Sequence, residues 1–197
     1  MPLWGTAHAS ASNKPKWAPA DENSDYSKGD IYATNAGWVQ QAGTAASGNN
    51  NASADPEVLV ALGMLAGATD TTGLRAPTAT SMRFVQSSYA AGSRTITCEI
   101  TWDEGVTVVG SPTVAIANSG SGRGPHTLVY TATGSTANRK RFTLASVTIA
   151  EDDVLTIGGA NILLAGGTIS DTVRGGTAQA ASLVLSGLTA VTSTVTA

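Results

Sequence analysis

An all-β chain, two antiparallel sheets packed as a sandwich behind an extended arm with a small hairpin, is what the sequence predicts. Three observations carry that expectation. The segments "SMRFVQS", "RTITCEITW", "VTVVG", "TVAIAN", "HTLVYTAT", "KRFTLASVTI", "DVLTIGG", "NILLAGGTI" and "ASLVLSGL" are rich in β-formers and are separated by Gly, Pro, Asn, Asp or Ser. No helical period runs between them, and strands at this spacing suit a sandwich. Within "TITCEITW" the alternation is strict, so Ile96, Cys98, Ile100 and Trp102 should face a core while Thr95, Thr97, Glu99 and Thr101 face water.

The first 77 residues read differently. "MPLWGTAHASASNKPKWAPADENSDYSKGD" has prolines at 2, 15 and 19 and no sustained period that would bury a face. Yet Trp4, Trp17, Tyr26, Tyr32 and Trp38 lie within the first 38 positions, half of the chain's ten aromatic residues. Large rings without a core of their own either stay wet or find a surface, and Trp and Tyr are common interface anchors. These five are therefore the candidate interface residues, and the alternative is that they fold back on the second part of the chain. "DIYATNAGWVQQ" and "PEVLVALGML" predict two short strands joined by "AGTAASGNNNASADP", a hairpin at about 30–65 with a loose tip. "GATDTTGLRAPTAT" reads as a linker. The division falls near Ala76 or Pro77, giving an arm over 1–77 and a sandwich over 78–197.

Composition narrows the function. With 42% hydrophobic residues the 197-residue chain has material for a core, and a net charge of -3 with 13% charged residues supplies no basic field for nucleic acid. The start has no basic head followed by an apolar run, and no stretch approaches the ~20 apolar residues that span a bilayer, so neither secretion nor a membrane partner is expected. Asn51, Ala52 and Ser53 match a glycosylation acceptor, which without a leader reads as chance.

Candidate chemical sites are few. Cys98 lies in phase with the core face, and the two histidines, His8 and His126, sit in no activating signature, so it reads as a buried hydrophobe. Asp103 and Glu104 are adjacent on a strand end and would point apart, so "DEG" reads as a polar turn with Gly105 free to take positive φ. "EDD" at 151–153 has oxygen ligands for calcium, but no ligand loop surrounds it, and a solvated turn is preferred. "NSGSGRGPH" at 118–126 is glycine-rich yet leads to a strand, not a helix N-terminus, and reads as a flexible exposed loop. The basic run "NRKR" at 138–141 reads as a solvated strand end. No catalytic, cofactor or metal residues are assigned, and an enzyme is not expected.

Two stretches carry a resemblance. "TITCEITWDEGVTVVGSPTVAIA" and "TIAEDDVLTIGGANILLAGGTISDTVRGGTAQAASLVL" resemble the two halves of bacterial and phage immunoglobulin-like repeats, over roughly residues 77–187. The likeness implies an immunoglobulin-like β-sandwich and says little about a ligand. "MPLWG", "NKPKW", "IYATNAGWVQ" and "EVLVALG" resemble the start of small virion structural proteins from tailed phages of cyanobacteria and other marine bacteria, over about the first 65 residues, with "GTAASGNNNASAD" as a departure. This implies a non-enzymatic virion protein assembled in the host cytoplasm. Its expected role is capsid decoration or cement, docked by the arm on other virion proteins such as the major capsid protein, with self-association as a further partner. The alternatives are a neck, tail or fibre component, or an adhesion module gripping host-surface glycan through loops 118–126 or 132–140.

Overall fold

The computed structural model describes residues 28–44, 47, 51–63, 65–66, 74, 76–171 and 178–197. Among these the chain is all-β, with short 3-10 turns such as Lys28–Asp30 and no α-helix.

The N-terminal strands are three, not two. β1 (Ile31–Thr34), β2 (Gly37–Gln40) and β3 (Glu57–Ala61) form an antiparallel sheet in that order. "DIYATNAGWVQQ", expected as one strand, folds on itself because Asn35 and Ala36 form a two-residue turn between Thr34 and Gly37. The Thr34 hydroxyl closes that turn, accepting from the Ala36 amide at 3.2 Å and donating to the Gly37 carbonyl at 3.2 Å. Gly37 takes φ +128°, and a Cβ there would run into the Val60 carbonyl of β3, so only glycine fits. Ile31, Ala33, Trp38, Leu65, Ala66 and Leu74 make a small core of their own.

The larger body begins at β4 (Ala79–Phe84). Then follow β5 (Tyr89–Ala90), β6 (Gly92–Trp102), β7 (Val106–Val109), β8 (Thr113–Asn118) and β9 (His126–Thr131). β10 (Arg139–Ile149), β11 (Val154–Ile157), β12 (Thr168–Asp171) and β13 (Val191–Thr196) complete it. Eight of these strands join in the order β4-β6-β10-β9-β8-β11-β13-β5, while β7 and β12 pair separately. The sheet curls until its ends meet. After β4 the chain bends through 85–88, and β5 pairs in parallel with β13 at the opposite end of the strand order. The Tyr89 hydroxyl then reaches back to the Thr97 carbonyl of β6 at 3.3 Å.

Inside the curl, Ile96, Cys98, Ile100 and Trp102 are all fully buried with Val114, Ile116, Leu128, Phe142 and Leu155, as the period-two pattern predicts. The outer face differs from expectation at one end. Thr95 is exposed and Thr97 half-buried, but Glu99 and Thr101 are only 1% and 2% exposed. The reason is that the N-terminal unit docks over this end of β6. In β10 a bulge between Leu144 and Val147, with Ser146 at φ 58°, shifts the inward phase. Phe142 therefore faces the core on one side of it, and Val147 and Ile149 on the other.

One expected strand is absent, one survives only in part, and β5 and β13 are new. "ASLVLSGL", just after a bridge at Ala180, runs irregularly and is held by single bonds such as Ala181 N–H to the Ile169 carbonyl at 2.9 Å and Ser182 N–H to the Pro77 carbonyl at 2.8 Å. "NILLAGGTI" contributes only β12, its earlier part making a single bridge from Leu163 to Thr113. The closing strand β13, "VTSTVT", was not expected because its alternation buries a serine, Ser193, beside Val195.

Gly37→Ala is expected to destabilise the N-terminal sheet by about 1–3 kcal/mol through backbone strain. Amide exchange should accelerate in β1–β3 while β6 and β10 keep their protection.

Candidate functional site

The acidic turn after Trp102 is the socket of the N-terminal unit. Asp103 and Glu104 are 2% and 1% exposed, not a solvated turn. The Asp103 carboxylate accepts the Thr78 amide at 2.7 Å, and its backbone N–H donates to the Thr78 carbonyl at 3.1 Å. Its carbonyl accepts the Ala33 amide of β1 at 2.7 Å, and Ala33 bridges Glu104 in parallel. These bonds satisfy backbone groups that would otherwise be buried without partners. The backbones of both residues and the Asp103 carboxylate thus join separate chain segments.

Beside this socket lies a charged latch. Glu99 on β6 receives Arg83 of β4, whose Nε donates to Oε2 at 2.7 Å, and Arg141 of β10, whose Nε donates to Oε1 at 2.6 Å. Arg139 stands 3.8 Å from the same carboxylate and donates through Nη2 to Asp30 at 2.7 Å. Asn138 completes the seam, its amide nitrogen donating to the Gly29 carbonyl at 2.8 Å and to the Trp102 carbonyl at 3.1 Å. The register explains the convergence, since Glu99 lies directly opposite both Arg83 and Arg141 on its two neighbouring strands. "NRKR" is therefore no solvated strand end. Lys140 points to the inner side, buried, and Nζ donates to the Thr136 carbonyl at 2.6 Å. Burial pushes its pKa down to about 8.

The carboxylates of the latch feel opposite balances. Burial alone would raise Glu99, but hydrogen bonds from Arg141 and Arg83 and the charge of the arginines outweigh it, so its pKa is lowered. For Asp30 burial prevails over the attraction of Arg139, and its pKa is raised.

A second charge pair holds the glycine-rich loop. Arg123 grips Asp153 with two bonds, Nε to Oδ2 at 2.8 Å and Nη2 to Oδ1 at 2.6 Å. Asn118 and the Ala150 amide also donate to Asp153, and the Ser119 hydroxyl accepts the Val154 amide at 2.8 Å. The loop at 118–126 is thus pinned, contrary to the flexible loop expected. Arg123 holds the Asp153 carboxyl well below the usual carboxylate range. "EDD" is not a uniform solvated turn either, because Glu151 and Asp152 are exposed while Asp153 is buried in this pair. Among the described residues no group of three or more His, Cys, Asp or Glu is placed to hold a metal ion. Cys98 is fully buried, and burial with the nearby Glu99 charge pushes its thiol up to about 12.

The interface candidates divide. Trp4, Trp17 and Tyr26 lie outside the described residues. Tyr32 and Trp38 are 6% and 0% exposed, Trp38 within the small core and Tyr32 in the lining of a cleft. Trp38 is a core residue of the N-terminal unit because the β1–β2 turn folds it onto Leu65 and Leu74. What the sequence did not reveal is a cleft of about 460 Å3 at the same junction. Tyr32, Thr34, Val39, Asp55, Pro56 and Val58 line it from the N-terminal sheet, with Gly105 and Ala137 on the body side.

No family model, no curated protein and no solved structure matches the chain. Among the described residues no helix is long and apolar enough to cross a membrane.

Acid should loosen the latch through Glu99. A carboxylate whose folded pKa lies below its ordinary 4.5 contributes stability above that value and loses it as pH falls through the folded pKa. Asp30, with its pKa raised above 3.8, works the other way and gains as pH falls through its folded pKa. Glu99→Gln is expected to lower stability at neutral pH by about 2 kcal/mol, tempered by the partial exposure of its arginines. It should also flatten the acid limb of a plot of melting temperature against pH below about 4.5, and an unchanged limb would exclude Glu99 as its source.

Proposed function

We propose that the chain is a non-enzymatic structural protein of a tailed-phage virion, a capsid decoration or cement protein whose first 27 residues attach an immunoglobulin-like sandwich to the shell. The observation that carries this reading is the latch. Arg139, Asn138 and the backbone of Asp103 and Glu104 fasten the N-terminal unit to the body through Asp30, Gly29 and Ala33, while Arg83 and Arg141 neutralise Glu99 beneath them.

The strand order supports the sandwich. Lettered along the chain with the kinked first strand as A and A′, β4-β6-β10-β9 read A-B-E-D, and β8-β11-β13-β5 read C-F-G-A′. With β7 and β12 left unlettered, those orders match the two layers of an immunoglobulin-like fold, although here β9 also pairs with β8 so that the strands run on as one curled sheet. Cys98 occupies strand B without a disulfide partner, since it is the chain's single cysteine. The resemblance of the opening motifs to phage virion proteins supports the setting. In that setting an arm across neighbouring shell subunits adds buried area at seams, and many copies act together.

With Gly29 and Asp30 held on Asn138 and Arg139, the attachment segment is 1–27, and Trp4, Trp17 and Tyr26 are its anchors. The alternative location is the neck, tail or a fibre. An adhesion module is the rival of another class, favoured by the pinned loop at 118–126, which holds Ser121 and Pro125 exposed in a fixed shape. Copy number per particle separates them, hundreds for a lattice protein and few for an adhesin.

Deleting residues 1–27, and no further so that Asp30 keeps its pair, should leave β-rich circular dichroism and melting nearly unchanged and abolish binding to particles. Undiminished binding by the folded truncation removes the arm from the mechanism.

A further inference from the structure

The cleft at the junction needs an occupant of particular chemistry. Tyr32, Val39, Pro56, Val58 and Ala66 give it apolar walls, and Asp55 is the charged residue of its lining. β3 is the outer strand of the three-stranded order, so its far edge has no strand neighbour among the described residues. Val58 on that strand is 53% exposed. An acidic, partly apolar cleft beside an open strand edge suits an extended cationic segment that brings one large ring.

The chain itself contains such a segment. "KPKW" at 14–17 sets Lys14 and Lys16 next to Trp17 in sequence, with a proline between the lysines, a composition that disfavours helix. Between Trp17 and the docked Gly29 about a dozen residues reach roughly 40 Å when extended, enough to leave one body and meet another.

We propose that the cleft receives residues 14–17 of a neighbouring copy, the Trp17 indole entering between Tyr32 and Val58 and the lysines facing Asp55. The proposal rests on the reading of the chain as a shell protein, in which copies stand side by side at high local concentration. It adds a self-contact in which one copy's arm ties the next copy's hairpin, a heterologous interface that runs around a lattice.

Full-length Ala18→Cys and Val58→Cys chains, mixed on particles and treated with a short bismaleimide, test it, the buried Cys98 thiol being shielded from the reagent. A covalent dimer joining the two variants is expected. It should be lost when the first chain also carries Lys14→Glu and Lys16→Glu, and regained when the second carries Asp55→Lys. No dimer, or a link formed only within single chains that carry both cysteines, overturns the proposal. Particle binding separates its failure from that of the arm reading. Binding lost in full-length Trp4→Ala/Trp17→Ala while the cross-link never forms drops the cleft and keeps the arm. Binding retained by that double variant overturns the arm reading and this proposal with it.

Discussion

A carboxylate placed on the outer face of a central strand and then covered must find cations, because burying it alone costs several kcal/mol. Glu99 finds Arg83 and Arg141 on the strands to either side, and Arg139 carries the same network to Asp30 on the N-terminal unit. The placement of the hairpin follows from this. Gly29 and Asp30 sit where Asn138 and Arg139 can reach them, and Ala33 meets the backbone of Asp103 a few residues on. Two cores, one around Trp38 and one around Trp102, are thus joined by a polar seam rather than by shared apolar area. Such a seam defines one docking geometry, since a shifted hairpin would leave charge and backbone groups buried without partners.

The same economy of charge shapes the opposite surface. Arg123 and Asp153 tie a glycine-rich loop to the turn before β11, so a segment with little intrinsic preference acquires a fixed shape from one bidentate pair. In the body, the bulge in β10 and the bend between β4 and β5 let a single strand order curl until its ends approach. Apolar residues from both halves then face one interior. The cleft lies beside the seam at which Ala33, Gly29 and Asp30 bond to the body.

Legibility in the sequence followed the range of the interaction. Ile96, Cys98, Ile100 and Trp102 were readable because a two-residue period is a local property of a strand, and a covered core demands it. Glu99 was not, because its partners Arg83, Arg139 and Arg141 are distant in sequence, and a lone glutamate in an alternating strand has the pattern of a wet face. "ASLVLSGL" has the composition of a strand, yet its backbone groups bond singly to Pro77, Ile162 and Asn161, so no ladder forms. "VTSTVT" has less apolar content and is a strand because β11 and β5 are waiting on its two sides. The β1–β2 turn was half legible: Asn-Ala-Gly signals a reversal, but the strand pattern on either side masked it.

The sequence by itself determined that the chain is built of strands, which residues of β6 face inward, and that its front is rich in aromatic rings. Those follow from side-chain alternation and backbone preference, which act between near neighbours. Tertiary structure alone decided that Trp38 and Tyr32 are covered, that the acidic turn is a socket, and that three arginines gather on Glu99. Each depends on which strands lie side by side, and strand pairing is settled by the balance of burial and charge over the whole chain.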